Sequence, residues 1–499
     1  MPRQEHRRHP VAHPVVHPAA HPAVAVLAVL TLGLATGCSA GGSAPTGPDR
    51  GTAPGDPLAV AVSEPREDSV YPEVGDPGVD ALHYDLDLSW DPDARRLSAT
   101  EVLTFRATTT AETFRLDLGE PLEVARAEVD GDPVRTTREG KDIVVAAPVE
   151  AEQRYELELA FAGTPEPVTA PTARGDFSTT GWQTMPSGET WTMQEPYGAY
   201  SWYAVNDQPS DKALYDVAVE VPSPWVGVSN GELLSRTEEG GTTRTEWRLD
   251  QPAASYLVTV ATGELETTED TSAGGTPITY WTPPDLPARQ LRNLRVAPEA
   301  LGWLEDRLGP YPYSTLGFVV VDSDSGMETQ TMITLGDTAY TTSEPVVLHE
   351  LAHHWYGDQV TPADWSEVWM NEGMATYLQL VWESKNDGRP LEAVMGEIAA
   401  GDQASRRYAG PPADFDADKF GDNNIYYLPA LMWHELRADL GDEKFWAMVR
   451  AWPAERDDVS TDREDYFAWL EEETGEELSA FLGAWLLGEK TPPLDAQQG

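Results

Sequence analysis

Residues Ser343 to Tyr377 read SEPVVLHELAHHWYGDQVTPADWSEVWMNEGMATY, and the spacing of acids and histidines in this stretch decides how the chain is read. His349 and His353 are four apart, so a helix projects both imidazoles from one face, where they can grip one ion. Glu350 lies beside that face, within reach of an attacking water. Zinc takes about four ligands, accepts imidazole and carboxylate, and keeps one position open when it is catalytic. A third protein ligand is therefore expected downstream. Gly357 stops the first helix, Pro362 blocks its continuation, and Asp364 with Glu367 starts a second one. Glu372 lies two turns into that second helix, and antiparallel packing of the pair returns it to the ion. The reading is one zinc per chain, held by His349, His353 and Glu372. The bland alternative, core histidines satisfied by neighbours, leaves the placement of Glu372 unexplained. His354 points elsewhere on the helix and reads as structural.

Upstream of this stretch the texture is that of strands. Leu82, Tyr84, Leu86, Leu88 and Trp90 alternate with polar residues, a period of two. VLTF (102–105), FRLDL (114–118), DIVV (142–145) and YELELAF (155–161) continue the pattern. Asp130-Gly131 and Asn230-Gly231 are hairpin-type turns. Residues 68–263 are therefore expected to form a β domain. From Glu264 to the end, residues 264–499, segments such as APEALGWLEDRLG, LPALMWHELRADLG and DYFAWLEEETG space apolar residues by three and four, as helices do. Thr461 with Glu464 reads as a capping box before the last of these.

Composition sets outer limits. The chain has 499 residues, 40% of them hydrophobic, with 17 Trp, enough to build two or three cores. A formal charge of −50, from 84 acidic against 34 basic residues, repels phosphate backbones, so nucleic acid is not an expected partner. Arg3, Arg7 and Arg8 followed by the apolar run Ala23 to Ala35 have the form of a signal peptide, expected over residues 1–37. Next comes Ala35-Thr36-Gly37-Cys38, which resembles the bacterial lipoprotein box. Cys38 is the single cysteine of the chain, so no internal disulfide can form. Its place in the box marks it as a lipidation site and the membrane as a partner. The protein is then expected outside the cell membrane, lipid-anchored or secreted. Residues 38–67, rich in Gly, Pro and Ser, read as a flexible tether. The His-Pro repeat at His9, His13, His17 and His21 precedes the signal core and would leave with it.

The metal stretch resembles the aminopeptidase N and leukotriene hydrolase family of gluzincins, whose signature is His-Glu-x-x-His, eighteen residues, then Glu. HHWYGD, DWSEVW and NEGMATY are similar to the family too, and the likeness runs over roughly residues 80 to 490. It implies a multidomain β plus α/β fold: an N-terminal antiparallel β saddle, then a thermolysin-like, mainly helical zinc domain. It also implies an aminopeptidase acting on peptides with a free N-terminus, with Glu350 as general base. Such an enzyme must hold the substrate ammonium near the metal, and carboxylates do this best. The family's Gly-x-Met-Glu-Asn segment corresponds to Ser325-Gly326-Met327-Glu328-Thr329, which departs at the first Gly and at Asn. Gly326 and Met327 would line the substrate, and Glu328 would bind the ammonium. The alternative for Glu328 is a solvated turn carboxylate. A second ammonium ligand, Glu195, comes from QEPYGAYSWYAVNDQPSDKA, where Asp207 and Pro209 keep register and Tyr200 replaces the family's Arg. Trp191 and Trp202 line a side-chain pocket or are buried β-domain aromatics. The family's oxyanion tyrosine falls on Tyr426 or its neighbour Tyr427, with register favouring Tyr426. The rival readings are a zinc endopeptidase, a hydrolase of non-peptide substrates, and a non-catalytic binding lipoprotein.

Overall fold

Strands Val79–Asp91 and Arg96–Ala107 alternate buried and exposed side chains almost residue by residue, which is what a sheet with one covered face requires. They pair antiparallel through Leu86 and Glu101, in the middle of an eight-stranded sheet. Every pair in that sheet is antiparallel except Val79–Asp91 with Lys212–Pro222, where Tyr84 faces Tyr215 across a parallel register. A five-stranded sheet that includes Thr190–Met193 and Val260–Gly263 packs with it around one apolar core. The computed structural model describes residues 55–494 except Asp457. The segment expected to be a signal peptide, Cys38, the four His-Pro histidines and the first part of the expected tether lie outside the described residues.

The tether expected through residue 67 ends earlier. Ala61 is 1% exposed, Ser63 N donates to Asp80 Oδ1 at 3.0 Å, and Arg66 pairs with Asp462 at 3.0 Å. Low hydropathy hid these polar attachments. Asp130-Gly131 is a hairpin turn, with both residues at positive φ between Leu122–Val129 and Asp132–Pro133. Asn230-Gly231 is not one. Its flanking strands pair with Val260–Gly263 and Thr242–Ala254, so the dipeptide carries the chain from one sheet to another.

Among the described residues there are nine α-helices: α1 Ala288–Leu294, α2 Ala297–Leu308, α3 Glu344–His353, α4 Trp369–Asp387, α5 Leu391–Ala409, α6 Asn423–Leu440, α7 Asp442–Glu455, α8 Arg463–Thr474 and α9 Ser479–Leu486. The change to helices expected at Glu264 is delayed by a five-stranded sheet. Its order is Glu266–Thr271, Pro277–Thr282, Leu316–Val321, Met332–Gly336 and then Gly326–Met327 at the edge. Leu316–Val321 is buried at every position and shows no period-two signal. The cap of α8 is Asp462, whose side chain accepts from Asp465 N; Thr461 sits in the short strand Val459–Thr461. None of the described helices is long and apolar enough to cross a membrane.

Candidate active site

Ser343 is the N-cap residue of α3 and Pro345 occupies its first turn, after which VVLHELAH runs buried to His353. Gly357, at φ +139°, turns the chain away so that Val360–Pro362 can follow. The second helix starts later than the sequence suggests. Asp364 caps a single 3-10 turn, Trp365–Glu367, and α4 begins at Trp369, which puts Glu372 in its first turn rather than its third.

Packing of α4 against α3 brings the expected ligands together. His349 Nε2 lies 3.1 Å from Glu372 Oε2 and 3.1 Å from His353 Nε2, and the third side of the triangle, His353 to Glu372, is 3.4 Å. Tetrahedral zinc with bonds of about 2.0–2.2 Å sets its ligand atoms roughly 3.3–3.6 Å apart, and this triangle, with two sides only slightly shorter, fits the ion after a small opening. His353 Nδ1 donates to the Tyr356 carbonyl at 3.1 Å, so the neutral ring turns its Nε2 lone pair inward. Burial disfavours a charged His353 ring, yet the Glu328 and Glu372 carboxylates push its pKa well above the usual value. Burial opposes ionisation of Glu372 as well, and the two histidines nevertheless draw it far below the carboxylate range. Zinc fits this donor set, with His349, His353 and Glu372 as its holders. His354 takes no part: its Nδ1 meets the Tyr311 hydroxyl at 2.9 Å, and burial lowers its pKa to about 3.

Glu350 follows His349 on α3, and its carboxylate lies within 4.8 Å of ligand atoms of His353 and Glu328. Burial, then the Glu328 carboxylate, drive its pKa well above the usual range. Gly326 and Met327 form the outer edge of the five-stranded sheet beside it, pairing with Leu335 and Thr334 on one side only. Glu328 follows, 3% exposed, with Oε1 unpartnered and 4.0 Å from His353 Nδ1. The solvated-turn alternative for Glu328 is thereby set aside. Glu195 enters from the β domain on a turn whose amides, Gly198 N and Tyr200 N, both donate to Asp207 Oδ2. Its Oε1 is also buried without a partner, and carboxylate oxygens of Glu195, Glu328 and Glu372 fall within 4.8 Å of one another. Burial and the Glu328 charge raise Glu195 well above a normal carboxyl. Trp202 is fully buried against Tyr203 and donates to Gln194, so it is core; Trp191 is half-buried.

Tyr426, in the first turn of α6, lies nearly parallel to the His349 ring with centroids 6.1 Å apart. Tyr427 turns outward and is 40% exposed. The sequence reading missed one member of this group. Arg174, from the β domain, donates to the Tyr426 hydroxyl at 3.3 Å. Its local sequence, Ala173-Arg174-Gly175-Asp176, carries no periodic or motif signal, and its partner stands 252 positions away.

Comparison with known proteins agrees with the geometry. The profile described as Peptidase M1 N-terminal domain matches residues 80–257, and that described as Peptidase family M1 domain matches residues 292–485. Aminopeptidase M1-A of Oryza sativa subsp. japonica is 27% identical over 330 residues, which are 59% of this chain and 36% of that protein. The chain thus spans about a third of the length of this plant relative. An M1 zinc metallopeptidase from Deinococcus radiodurans superposes with a TM-score of 0.76 at 28% identity, covering 86% of this chain and 98% of that one. A mutant of that enzyme, bound to a Tyr-Ser-Ala substrate, gives a TM-score of 0.77 at the same identity and coverage. A β-rich part followed by a helical part, a His-His-Glu set that fits zinc and two matched family domains lead to one conclusion: this chain belongs to peptidase family M1, with zinc as its cofactor.

Proposed function

We propose that this protein is a zinc aminopeptidase that removes single residues from the free N-terminus of peptides. One observation carries the reading: two buried carboxylate oxygens without hydrogen-bond partners, on Glu195 and Glu328, lie beside the metal triad. Buried acceptors left alone are costly, and a substrate ammonium satisfies both. The ammonium so placed puts only the first peptide bond beside the metal. Zinc on His349, His353 and Glu372 supplies Lewis-acid polarisation when bound. Glu350 takes a proton from the attacking water and delivers it to the departing amine nitrogen. The Tyr426 hydroxyl donates to the carbonyl oxygen as negative charge develops there. Gly326 and Met327 offer the unpaired edge of their sheet to the substrate backbone.

Replacing Glu350 by Gln tests these roles. The variant should keep zinc, because Glu350 is not a ligand, and lose turnover by several orders of magnitude. Near-normal turnover would remove Glu350 as the base.

The same proposal takes residues 68–263 and 264–499 as the two domains and places the enzyme outside the cell membrane, anchored through lipid on Cys38. The apolar run and the lone thiol behind it support that location. Mass spectrometry of the mature N-terminus should find a lipidated Cys38; an unmodified Cys38, or a chain that starts elsewhere, rules the anchor out.

A further inference from the structure

Helix α6 begins under a clasp from the β domain. Phe420 N donates to the Pro171 carbonyl at 2.9 Å, and Thr172 Oγ1 donates back to the Phe420 carbonyl at 2.7 Å. Gly421 sits at φ +71°, and a Cβ there would come 2.6 Å from the Phe177 ring. Arg174 lies at the centre of the clasp. Its Nη1 donates to the Gly421 carbonyl at 3.0 Å and to the Tyr426 hydroxyl at 3.3 Å. Its Nε and Nη2 both donate to the Asp176 carboxylate, and its plane covers the Phe177 ring at 4.5 Å.

We propose that Arg174 is a positioning residue that holds the Tyr426 hydroxyl from across the domain boundary and turns its O–H into the metal cleft. A phenol oxygen that accepts from a guanidinium cannot also donate to it, so its own proton must point elsewhere. The Glu372 carboxylate lies within hydrogen-bonding reach of the same hydroxyl, so the proton that Arg174 does not receive is directed toward the metal ligands. The guanidinium also polarises the phenol, so the bond Tyr426 donates strengthens as charge grows on the substrate oxygen. Asp176 balances the charge of Arg174 and occupies two of its nitrogens, which makes Arg174 a poor receptor for a substrate carboxylate. Only when the β domain is seated on residues 420–426 is the tyrosine aimed. The clasp therefore makes catalysis depend on the β domain through a second residue besides Glu195.

The inference rests on the oxyanion role given to Tyr426, and a double-mutant cycle on the zinc-loaded enzyme separates the two. Arg174→Met should lower kcat roughly ten- to a hundredfold on an aminoacyl reporter, with KM and zinc content little changed. Arg174→Lys should recover part of the loss. In a Tyr426→Phe background, Arg174→Met should change kcat by less than about twofold, because the group it acts through is gone. In the metal-free protein, Arg174→Met should speed hydrogen exchange of residues 420–427. Equal penalties in both backgrounds, or a rise in KM alone, would overturn the inference and leave the aminopeptidase reading standing. If Tyr426→Phe is harmless while Arg174→Met is not, the oxyanion role of Tyr426 falls and this inference with it. Should Arg174→Met fail to fold, Arg174→Lys takes its place in the cycle: a smaller loss of kcat that vanishes in the Tyr426→Phe background supports the inference, and an equal loss in both backgrounds overturns it.

Discussion

Gly326 has no side chain because Glu350 occupies the space one would fill. A Cβ built there comes 2.8 Å from Glu350 Oε1 and 3.3 Å from Leu335 Cδ2. The backbone of Gly326 does not need positive φ, so alanine fits the strand and only the carboxylate has to give way. Gly326→Ala is therefore expected to leave the melting temperature unchanged or slightly raised, since such replacements stabilise by about 0.4–1 kcal/mol where the backbone allows them. Turnover should fall roughly tenfold or more, because a displaced base loses its line to the attacking water. Calorimetry beside steady-state kinetics checks both; a large loss of stability with normal kcat would contradict it. The metal ligands and Glu350 were legible from spacing on one helix, and Glu372 from its place on the next. The reason for Gly326 was not, because the atom that excludes a side chain belongs to a residue 24 positions later.

Among elements, the long signals were readable and the short ones were not. Helix α3 announces itself by the spacing of its histidines, and the strands around Leu86 and Val102 by burial that alternates along each. The five-stranded sheet beside α3 does not, because Gly326–Met327 is two residues long and Leu316–Val321 is buried on both faces. Register between helices distant in sequence was equally hidden. Helix α4 meets α6 so closely that a Cβ on Gly373 would come 2.4 Å from Pro429 Cβ. That approach sets Glu372, just before Gly373, opposite Tyr426, one turn before Pro429. Tyr426 could be preferred over Tyr427 from family register, but the packing that turns one inward and the other outward belongs to this crossing. Asn230-Gly231 has the composition of a hairpin, and only the pairing of its flanking strands with other partners makes it a crossover.

At the scale of the molecule, the β domain is more than a support. It delivers Glu195 and Arg174 to a centre otherwise built by the helical part, and it stores an acid of its own. Glu101 is fully buried in Arg96–Ala107, with Oε2 accepting from Ala204 N at 2.9 Å and Oε1 unpartnered. Burial raises its pKa from 4.5 to about 8. Below pH 4.5 the carboxyl is neutral in both folded and unfolded chains and has no effect on stability. Between pH 4.5 and 8 the unfolded chain gives up the proton and the folded one keeps it, so stability falls by about 1.4 kcal/mol per pH unit. Glu101→Gln keeps the Ala204 hydrogen bond and removes this titration. Thermal unfolding of the variant should show a shallower loss between pH 5 and 8 than the wild type; parallel slopes would contradict the account.

In the proposed aminopeptidase, a buried pair of acids reads the substrate's free amine beside the metal. The direct measurement follows a pentapeptide and its N-acetylated twin with zinc-loaded wild-type enzyme, identifying products by mass. Stepwise loss of single residues is expected from the free peptide. The rate on the acetylated one should be lower by roughly thirty- to a thousandfold, the range expected when a buried charged pair cannot form. Similar rates on both, or internal fragments from either, would show that Glu195 and Glu328 do not read the terminus.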